Sequence, residues 1–198
     1  LSSAASDVYK RQLKLIYTPL NGTGNKPVRE VLRRAGFDDV TVVPSQENPD
    51  GHFPTCPYPN PEIRQAFEEA LKLAEGKNVD LLLATDPDCD RVGIAVNTGD
   101  DYRLMSGNEV GVLLTEYILS SMKNAGTLPK NPVIVKSFVT TSLVDRVAES
   151  YGCAIHDVLT GFKYIGEFAT NLEKKNEGDR FIPVSYTHLR AHETSAHL

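Results

Sequence analysis

The feature that most constrains this chain is a run of three alternating carboxylates, Asp86, Asp88 and Asp90, set between two short apolar segments, residues 81–84 and 92–96. Apolar runs on both sides of a polar turn predict two strands joined by a loop. In extended or curled backbone alternate side chains can point the same way, so the three carboxylates can converge, whereas on a helix they would diverge. Carboxylates held this close repel one another, and a bound divalent cation relieves that repulsion. A set of oxygen ligands favours a hard ion, Mg²⁺ or Ca²⁺.

The composition limits the classes of protein that this chain can belong to. It has 198 residues, 40% hydrophobic and 24% charged, which is enough to bury an ordinary core in one domain or two small ones. The formal net charge of −5 gives no basic footprint for nucleic acid or for an anionic membrane surface, so we expect a small-molecule partner. The three cysteines are widely spaced and fit no zinc pattern, which predicts reduced thiols in a cytoplasmic protein. No apolar run approaches the length of a membrane span.

Strand-like and helix-like segments alternate along the chain, which predicts an α/β fold with mixed, largely parallel sheets flanked by helices. The hydrophobic pattern restarts near Ser106, and this predicts two small α/β domains, residues 13–105 and 106–183. The predicted strands cover residues 13–17, 39–43, 81–84, 92–96, 133–135 and 153–159. The predicted helices cover residues 26–35, 61–75 with Asn60 as the cap, 107–122, a segment from about 141 to 151, and the residues after 160.

Residues with polar or flexible character follow several of the predicted strands. In α/β sheets, ligands gather at the carboxyl ends of strands. The aspartate stretch, Lys136 and residues 160–163 all lie at such ends, as does a glycine-containing loop around Gly22. A glycine loop between a strand and a helix can present backbone N–H groups to an anion, but it can equally be a simple tight turn.

The two ends of the chain differ from the middle in having no apolar periodicity. Residues 2–12 (SSAASDVYKRQ) and 184–198 (VSYTHLRAHETSAHL) resemble peptides that recur when sequencing-adapter DNA is translated at the edges of assembled reads. We therefore expect residues 1–12 and 184–198 to be non-native tails and leave them out of the fold prediction.

Five segments in chain order carry a further pattern, and together they span nearly all of residues 13–183. They are YTPLNGTGNKP at 17–27, FPTCPYPNPE at 53–62, ATDPDCDRVGIAV at 84–96, SGNEVG at 106–111 and TGFKYIGE at 160–167. These segments closely resemble the α-D-phosphohexomutase superfamily, specifically its phosphoglucomutase/phosphomannomutase group. The resemblance implies that residues 13–105 are the metal-binding second domain of a four-domain enzyme, and that residues 106–183 are most of its third, sugar-phosphate-binding domain.

The resemblance also implies a cofactor and a reaction. Asp86, Asp88 and Asp90 would bind Mg²⁺, and a phosphate oxygen of a phosphoserine in the first domain would supply the remaining ligand. Enzymes of this group transfer that phosphoryl group to a sugar monophosphate, let the bisphosphate turn around, and take a phosphoryl group back from the other oxygen. A metal that polarises the phosphoryl oxygen and offsets developing charge suits this chemistry.

Further site residues are implied by the same resemblance. Arg91 would hold phosphate with its forked donors. Lys163 and Lys136 match positions where the group places a basic residue near the transferred phosphoryl group, as general acid/base or charge stabiliser. Thr160 and Gly161 would bind the substrate.

Two elements of the group are not found in the sequence: a loop like Thr-Ala-Ser-His-Asn-Pro with the nucleophilic serine, and a Gly-Glu-x-Ser sugar-binding loop. The fourth domain, with its arginine-rich phosphate clamp, is also outside the chain. We therefore expect negligible mutase activity from the chain alone, and we expect its partners to be a phosphosugar and the missing domains of the same enzyme. Residues 53–62 favour the phosphoglucomutase/phosphopentomutase side of the group.

The aspartate stretch has three alternative interpretations. An EF-hand does not fit, because Arg91 replaces the required glycine and Asn97 the bidentate glutamate. A haloacid-dehalogenase-type phosphatase also places Asp-x-Asp after an apolar strand and uses one aspartate as nucleophile, but it leaves the third aspartate and the Gly22 loop unexplained. A non-catalytic module that binds metal or sugar phosphate remains the third interpretation.

Overall fold

The structure, a computed structural model, describes residues 12–184. The two terminal segments that the sequence sets apart lie outside these residues, except for Gln12 and Val184. The chain divides after Ser106 into two compact units, each described by itself. Among the described residues no helix combines the length and the hydropathy that a membrane span requires.

The predicted α/β fold is confirmed, with seven strands and five α-helices among residues 12–184. The strands are β1 (Lys14–Thr18), β2 (Asp39–Val42), β3 (Leu81–Thr85), β4 (Val92–Asn97), β5 (Tyr102–Met105), β6 (Val133–Ser137) and β7 (Ala154–Val158). The helices are α1 (Asn25–Arg34), α2 (Glu68–Ala74), α3 (Gly107–Asn124), α4 (Leu143–Ser150) and α5 (Phe162–Lys174).

The first unit is built on a mixed sheet with strand order β2-β1-β3-β4-β5. β1 pairs in parallel with both β2 and β3, whereas β4 is antiparallel to β3 and to β5. The register places Thr18 beside Ala84, so β1 and β3 end at the same edge of the sheet. Consequently the loop after β1 and the loop after β3 are neighbours.

The core of the first unit lies between this sheet and α2. Phe67, Ala70 and Ala74 recur at helical spacing and are all buried, and they pack with Ile16 and Leu82 of the central strands. Phe67, the residue just before α2, is 1% exposed and Leu82 is fully buried, so the buried face of α2 and its preceding turn holds this segment against the strands that carry the aspartates.

The predicted start of α2 was wrong. We expected the helix to begin at Pro61, but Ile63 is extended, a 3₁₀ turn covers Arg64–Phe67, and α2 begins at Glu68. The oxygen of the Asn60 side chain accepts the N–H of Glu62 in a local turn, as a helix cap would. The same oxygen also accepts a bond from the distant Arg91, so the chain runs past β4 before it turns into the helix.

The second unit contains the parallel pair β6 and β7. An isolated parallel bridge also joins Val133 of β6 to Phe181. The core of the second unit includes Leu119 of α3, Ile134 of β6 and Ala148 of α4, all at most 2% exposed. The two-stranded sheet is fully parallel, as predicted for the α/β alternation, while the larger sheet of the first unit is half antiparallel.

Candidate metal centre

The aspartate loop, residues 86–91, joins β3 to β4. The last residues that the two strands pair before the loop are Thr85 and Val92. The N–H of Cys89 donates to the carbonyl oxygen of Asp86 at 3.0 Å, and Cys89 has a left-handed backbone with φ +64°. This conformation curls the loop back on itself, which non-glycine residues adopt at some cost. The curl brings one carboxylate oxygen from each of Asp86, Asp88 and Asp90 within 4.8 Å of one another.

The three carboxylates fit a hard divalent cation. Asp86 is 1% exposed, whereas Asp88 and Asp90 are exposed. Around an octahedral Mg²⁺ the ligand oxygens lie about 2.1 Å from the metal, so neighbouring oxygens are about 3 Å apart and opposite ones about 4 Å. The oxygens, which lie up to 4.8 Å apart in the structure, must therefore approach one another by up to about 2 Å to bind such an ion, and the exposed side chains of Asp88 and Asp90 can supply that movement.

Arg91 is bonded to the buried aspartate. Its backbone N–H donates to Oδ1 of Asp86 at 2.9 Å, and its Nε donates to Oδ2 at 2.9 Å. Its Nη1 donates to Oδ1 of Asn60 at 3.3 Å, and the side chain is only 13% exposed. The first role that this geometry indicates for Arg91 is to compensate the charge of Asp86 and fix its orientation.

The glycine loop, residues 19–24, supports the aspartate loop from the side. The backbone N–H and the hydroxyl of Thr23 both donate to the carbonyl oxygen of Pro87, at 2.8 and 3.1 Å. A Cβ atom on Gly22 would collide with the backbone of Pro87. The sequence left open an anion-binding loop or a tight turn, and the structure shows a direct packing contact with the aspartate loop.

The proline-rich segment, residues 44–61, is fixed at both ends. Gln46 is 1% exposed, and its side chain accepts from the hydroxyl of Thr18 at 2.6 Å and donates to that of Thr55 at 3.0 Å. At the other end Pro61 lies against Gly93 of β4, where a Cβ atom would collide with the carbonyl oxygen of Pro61. Sequence reasoning missed these contacts of Gln46 and Gly93, because no local pattern marks contacts between segments this far apart.

Lys136 lies within β6, one residue before the end of the strand, rather than just beyond it. Its Nζ is 2.7 Å from Oδ1 of Asp157 on β7 and 3.3 Å from Oδ1 of Asp145 on α4. Burial favours the neutral amine, but the bond to Asp157 and the charge of Asp145 outweigh it and hold the pKa of Lys136 above its ordinary value. Lys136 is therefore a permanent cation, which suits charge compensation better than proton transfer.

Thr160, Gly161 and Lys163 are brought together where β7 leads into α5. Gly161 has φ +134°, a conformation that side chains rarely adopt, and its carbonyl accepts the N–H of Tyr164. Lys163 is exposed, with its Nζ 4.7 Å from the centre of the Tyr164 ring. These three residues and Lys136 belong to the second unit, and the aspartate loop belongs to the first.

We expect Lys136→Met to destabilise the protein by about 2 kcal/mol, because it leaves two carboxylates without their shared cation. This is below the full penalty for a buried pair, since the side chain of Asp157 is 55% exposed. The matched control is Lys163→Met, which removes an exposed ammonium and should change the free energy of unfolding by less than about 0.5 kcal/mol. Urea unfolding of both variants measures the difference. Equal free energies of unfolding would show that the ion pairs of Lys136 with Asp145 and Asp157 do not stabilise the protein.

Comparison with known proteins supports the mutase resemblance. The family model "Phosphoglucomutase/phosphomannomutase, alpha/beta/alpha domain II" matches residues 2–99, and the model for domain III matches residues 106–176. The phosphoglucomutase of Staphylococcus saprophyticus is 32% identical over 189 residues, which cover 95% of this chain and 34% of the relative. The phosphoribomutase of Saccharomyces cerevisiae is 37% identical over 180 residues, covering 86% and 28%.

The fold is also shared with a solved structure. The phosphoglucomutase/phosphomannomutase family protein of Burkholderia thailandensis has a TM-score of 0.62 at 18% identity, covering 83% of this chain and 32% of that one. This chain thus spans about a third of the length of the proteins it resembles. Both units match consecutive domains of one family in the family's own order, and the chain belongs to the phosphoglucomutase/phosphomannomutase family of the α-D-phosphohexomutase superfamily.

Proposed function

We propose that this chain is the metal-binding part of a Mg²⁺-dependent phosphosugar mutase. The reaction moves a phosphoryl group between a phosphoserine in another domain and a hexose or pentose monophosphate, through a bisphosphate intermediate. Relatives named phosphoglucomutase and phosphoribomutase support this substrate class. The observation that carries the proposal is the convergence of Asp86, Asp88 and Asp90 within 4.8 Å at a strand end.

The three aspartates of the loop have different roles in binding the ion. Asp86 is buried and fixed by Arg91, so it provides a rigid ligand. Asp88 and Asp90 are exposed, and they leave the outer side of the site open to a phosphate oxygen. When bound, Mg²⁺ polarises that oxygen and offsets the charge of the transferred group. Mg²⁺ characteristically completes its coordination with substrate phosphate and water, which agrees with a site of three carboxylates.

The second unit would supply groups that bind and position the sugar phosphate. The exposed ammonium of Lys163 is suited to contact the transferred group, as an acid/base or as a charge stabiliser. Thr160 and Gly161 precede the N-terminus of α5, where backbone N–H groups favour an anion. Lys136 would act through charge, since its two carboxylate partners keep it protonated.

Membership of the mutase family argues against the phosphatase interpretation of the aspartate loop. In a phosphatase of the haloacid-dehalogenase type one aspartate is the nucleophile. Here Asp86 is bonded through both oxygens to Arg91, which suits a fixed metal ligand. We also propose a reducing, cytoplasmic setting, which the free thiols of Cys56, Cys89 and Cys153 support.

The purified chain is expected to show negligible mutase activity, because the loop like Thr-Ala-Ser-His-Asn-Pro that would carry the phosphoserine is not found in the sequence. A coupled assay would follow the conversion of glucose 1-phosphate to glucose 6-phosphate in the presence of Mg²⁺ and glucose 1,6-bisphosphate. The positive control is the full-length phosphoglucomutase of Staphylococcus saprophyticus under the same conditions. Turnover that rises with the concentration of the chain and disappears in Asp88→Asn would contradict the proposal that other domains are required.

A further inference from the structure

A small group of polar side chains lies behind the aspartate loop, on the side away from solvent. The hydroxyl of Tyr17 in β1 is 2.8 Å from the hydroxyl of Thr85 in β3, and either can donate. A Cβ atom on Gly24 would lie 2.5 Å from the Tyr17 hydroxyl, 2.6 Å from the Thr85 hydroxyl and 3.0 Å from Sγ of Cys89. The three groups, Tyr17, Thr85 and Cys89, therefore meet at one point, which we call the polar cluster.

The polar cluster contacts the aspartate loop at two places. Thr85 immediately precedes Asp86, and Cys89 lies between Asp88 and Asp90. The Cys89 thiol lies beside the Thr85 hydroxyl, since both groups come within 3.0 Å of the same point next to Gly24, and the Cys89 N–H donates to the carbonyl oxygen of Asp86 at 3.0 Å. Cys89, the left-handed residue that curls the loop, is thus bonded through its backbone to Asp86 and lies with its side chain next to Thr85 at the end of β3.

The Tyr17 hydroxyl is not needed for packing. Tyr17 is fully buried, and a phenylalanine ring would fill the same core space without bringing a polar group away from water. Burial raises the pKa of Tyr17 to about 12, so the hydroxyl stays neutral and available as a hydrogen-bond partner. Its partner, Thr85, is 5% exposed and belongs to the strand that leads into the metal ligands.

We propose that Tyr17 is a positioning residue of the metal site, whose hydroxyl holds Thr85 and Cys89 and thereby the curl that makes the three carboxylates converge. The inference rests on the proposed function, because it concerns the affinity of that site for a divalent cation. Groups that orient metal ligands from outside the coordination shell typically change metal affinity by about 10- to 100-fold when removed. The hydrogen-bond partner of the Tyr17 hydroxyl is Thr85 and not a ligand carboxylate, so its effect is transmitted through the loop backbone.

The test is the affinity for Mn²⁺, measured by calorimetric titration of the whole chain with MnCl₂. Tyr17→Phe is expected to raise the Kd about tenfold. The matched control is Tyr102→Phe on β5 of the same sheet, where the hydroxyl donates to the carbonyl of Val79 at 2.8 Å. Both variants lose one tyrosine hydroxyl bond, but only the first faces the aspartate loop, so Tyr102→Phe should leave the Kd unchanged.

Variants of Thr85 provide a second test, which does not depend on whether Tyr17→Phe folds. Thr85→Val removes the other hydroxyl and should weaken Mn²⁺ binding at least as much as Tyr17→Phe does, and adding Tyr17→Phe to it should cause no further loss. Thr85→Ser keeps the hydroxyl and should retain the affinity of the unmodified chain. Equal Kd values for the unmodified chain, Tyr17→Phe and Thr85→Val would overturn the inference, as would an equal loss in Tyr102→Phe. Absence of Mn²⁺ binding by the unmodified chain would overturn the metal site itself.

Discussion

Gly22→Ala is expected to destabilise the protein by about 2 to 3 kcal/mol, because its new Cβ atom has no space. The atom that it meets belongs to the backbone of Pro87, which cannot rotate away as a flexible side chain could. Pro87 is also held by the two bonds from Thr23. The loop must therefore shift, and since Pro87 lies between Asp86 and Asp88, we expect the affinity for Mn²⁺ to fall at least about tenfold.

The control for this substitution is Gly51→Ala in the same unit. No atom of residues 12–184 would lie within 4 Å of a Cβ atom on Gly51, and neither Gly22 nor Gly51 has a positive φ. The two variants thus add the same methyl group and differ in the space around it. Thermal unfolding and MnCl₂ titration of both measure the effect, and a Gly22→Ala protein that behaves like Gly51→Ala would show that the contact with Pro87 does not fix the loop.

Arg91→Met is expected to cost about 3 to 5 kcal/mol of stability, since it leaves the carboxylate of Asp86 buried without its cation. Asp86 is 1% exposed, so water cannot replace the lost bond from Nε. Adding Asp86→Asn to Arg91→Met should recover part of the loss, because the amide carries no charge and its oxygen can still accept the backbone N–H of residue 91. Urea unfolding in the absence of divalent cations gives the three free energies.

Arg64→Met provides the matched control for the arginine. Arg64 pairs with Asp101 at 3.0 Å, but both side chains are more than half exposed. Pairs of this kind contribute about 0 to 1 kcal/mol, so Arg64→Met should have a small effect. If the two arginine variants lost the same stability, Arg91 would not be compensating a buried charge.

Local patterns in the sequence were enough to predict the elements around the site. The apolar segments 81–84 and 92–96 correspond to β3 (Leu81–Thr85) and β4 (Val92–Asn97), because runs of apolar residues bounded by polar turns leave little choice of strand position. The same alternation predicted the α/β fold, which the structure and the family matches confirm.

Local sequence patterns could not predict the contacts between distant segments. The bond from Tyr17 to Thr85 joins residues 68 positions apart, and the bond from Thr23 to Pro87 spans 64. Both depend on β1 pairing in parallel with β3, which no local period encodes. The same reason explains the helix start at Glu68 instead of Pro61, since Asn60 is bonded to Arg91, 31 residues away.

The central claim is that the aspartate loop binds one divalent cation, and calorimetric titration with MnCl₂ tests it most directly. The chain is predicted to bind one Mn²⁺, and Asp88→Asn should weaken that binding by at least about tenfold, since it replaces an anionic ligand by a neutral amide. Asp100→Asn, at an exposed position in the turn between β4 and β5, should bind as tightly as the unmodified chain. Equal affinities for Asp88→Asn and Asp100→Asn, or no saturable binding at all, would contradict the account.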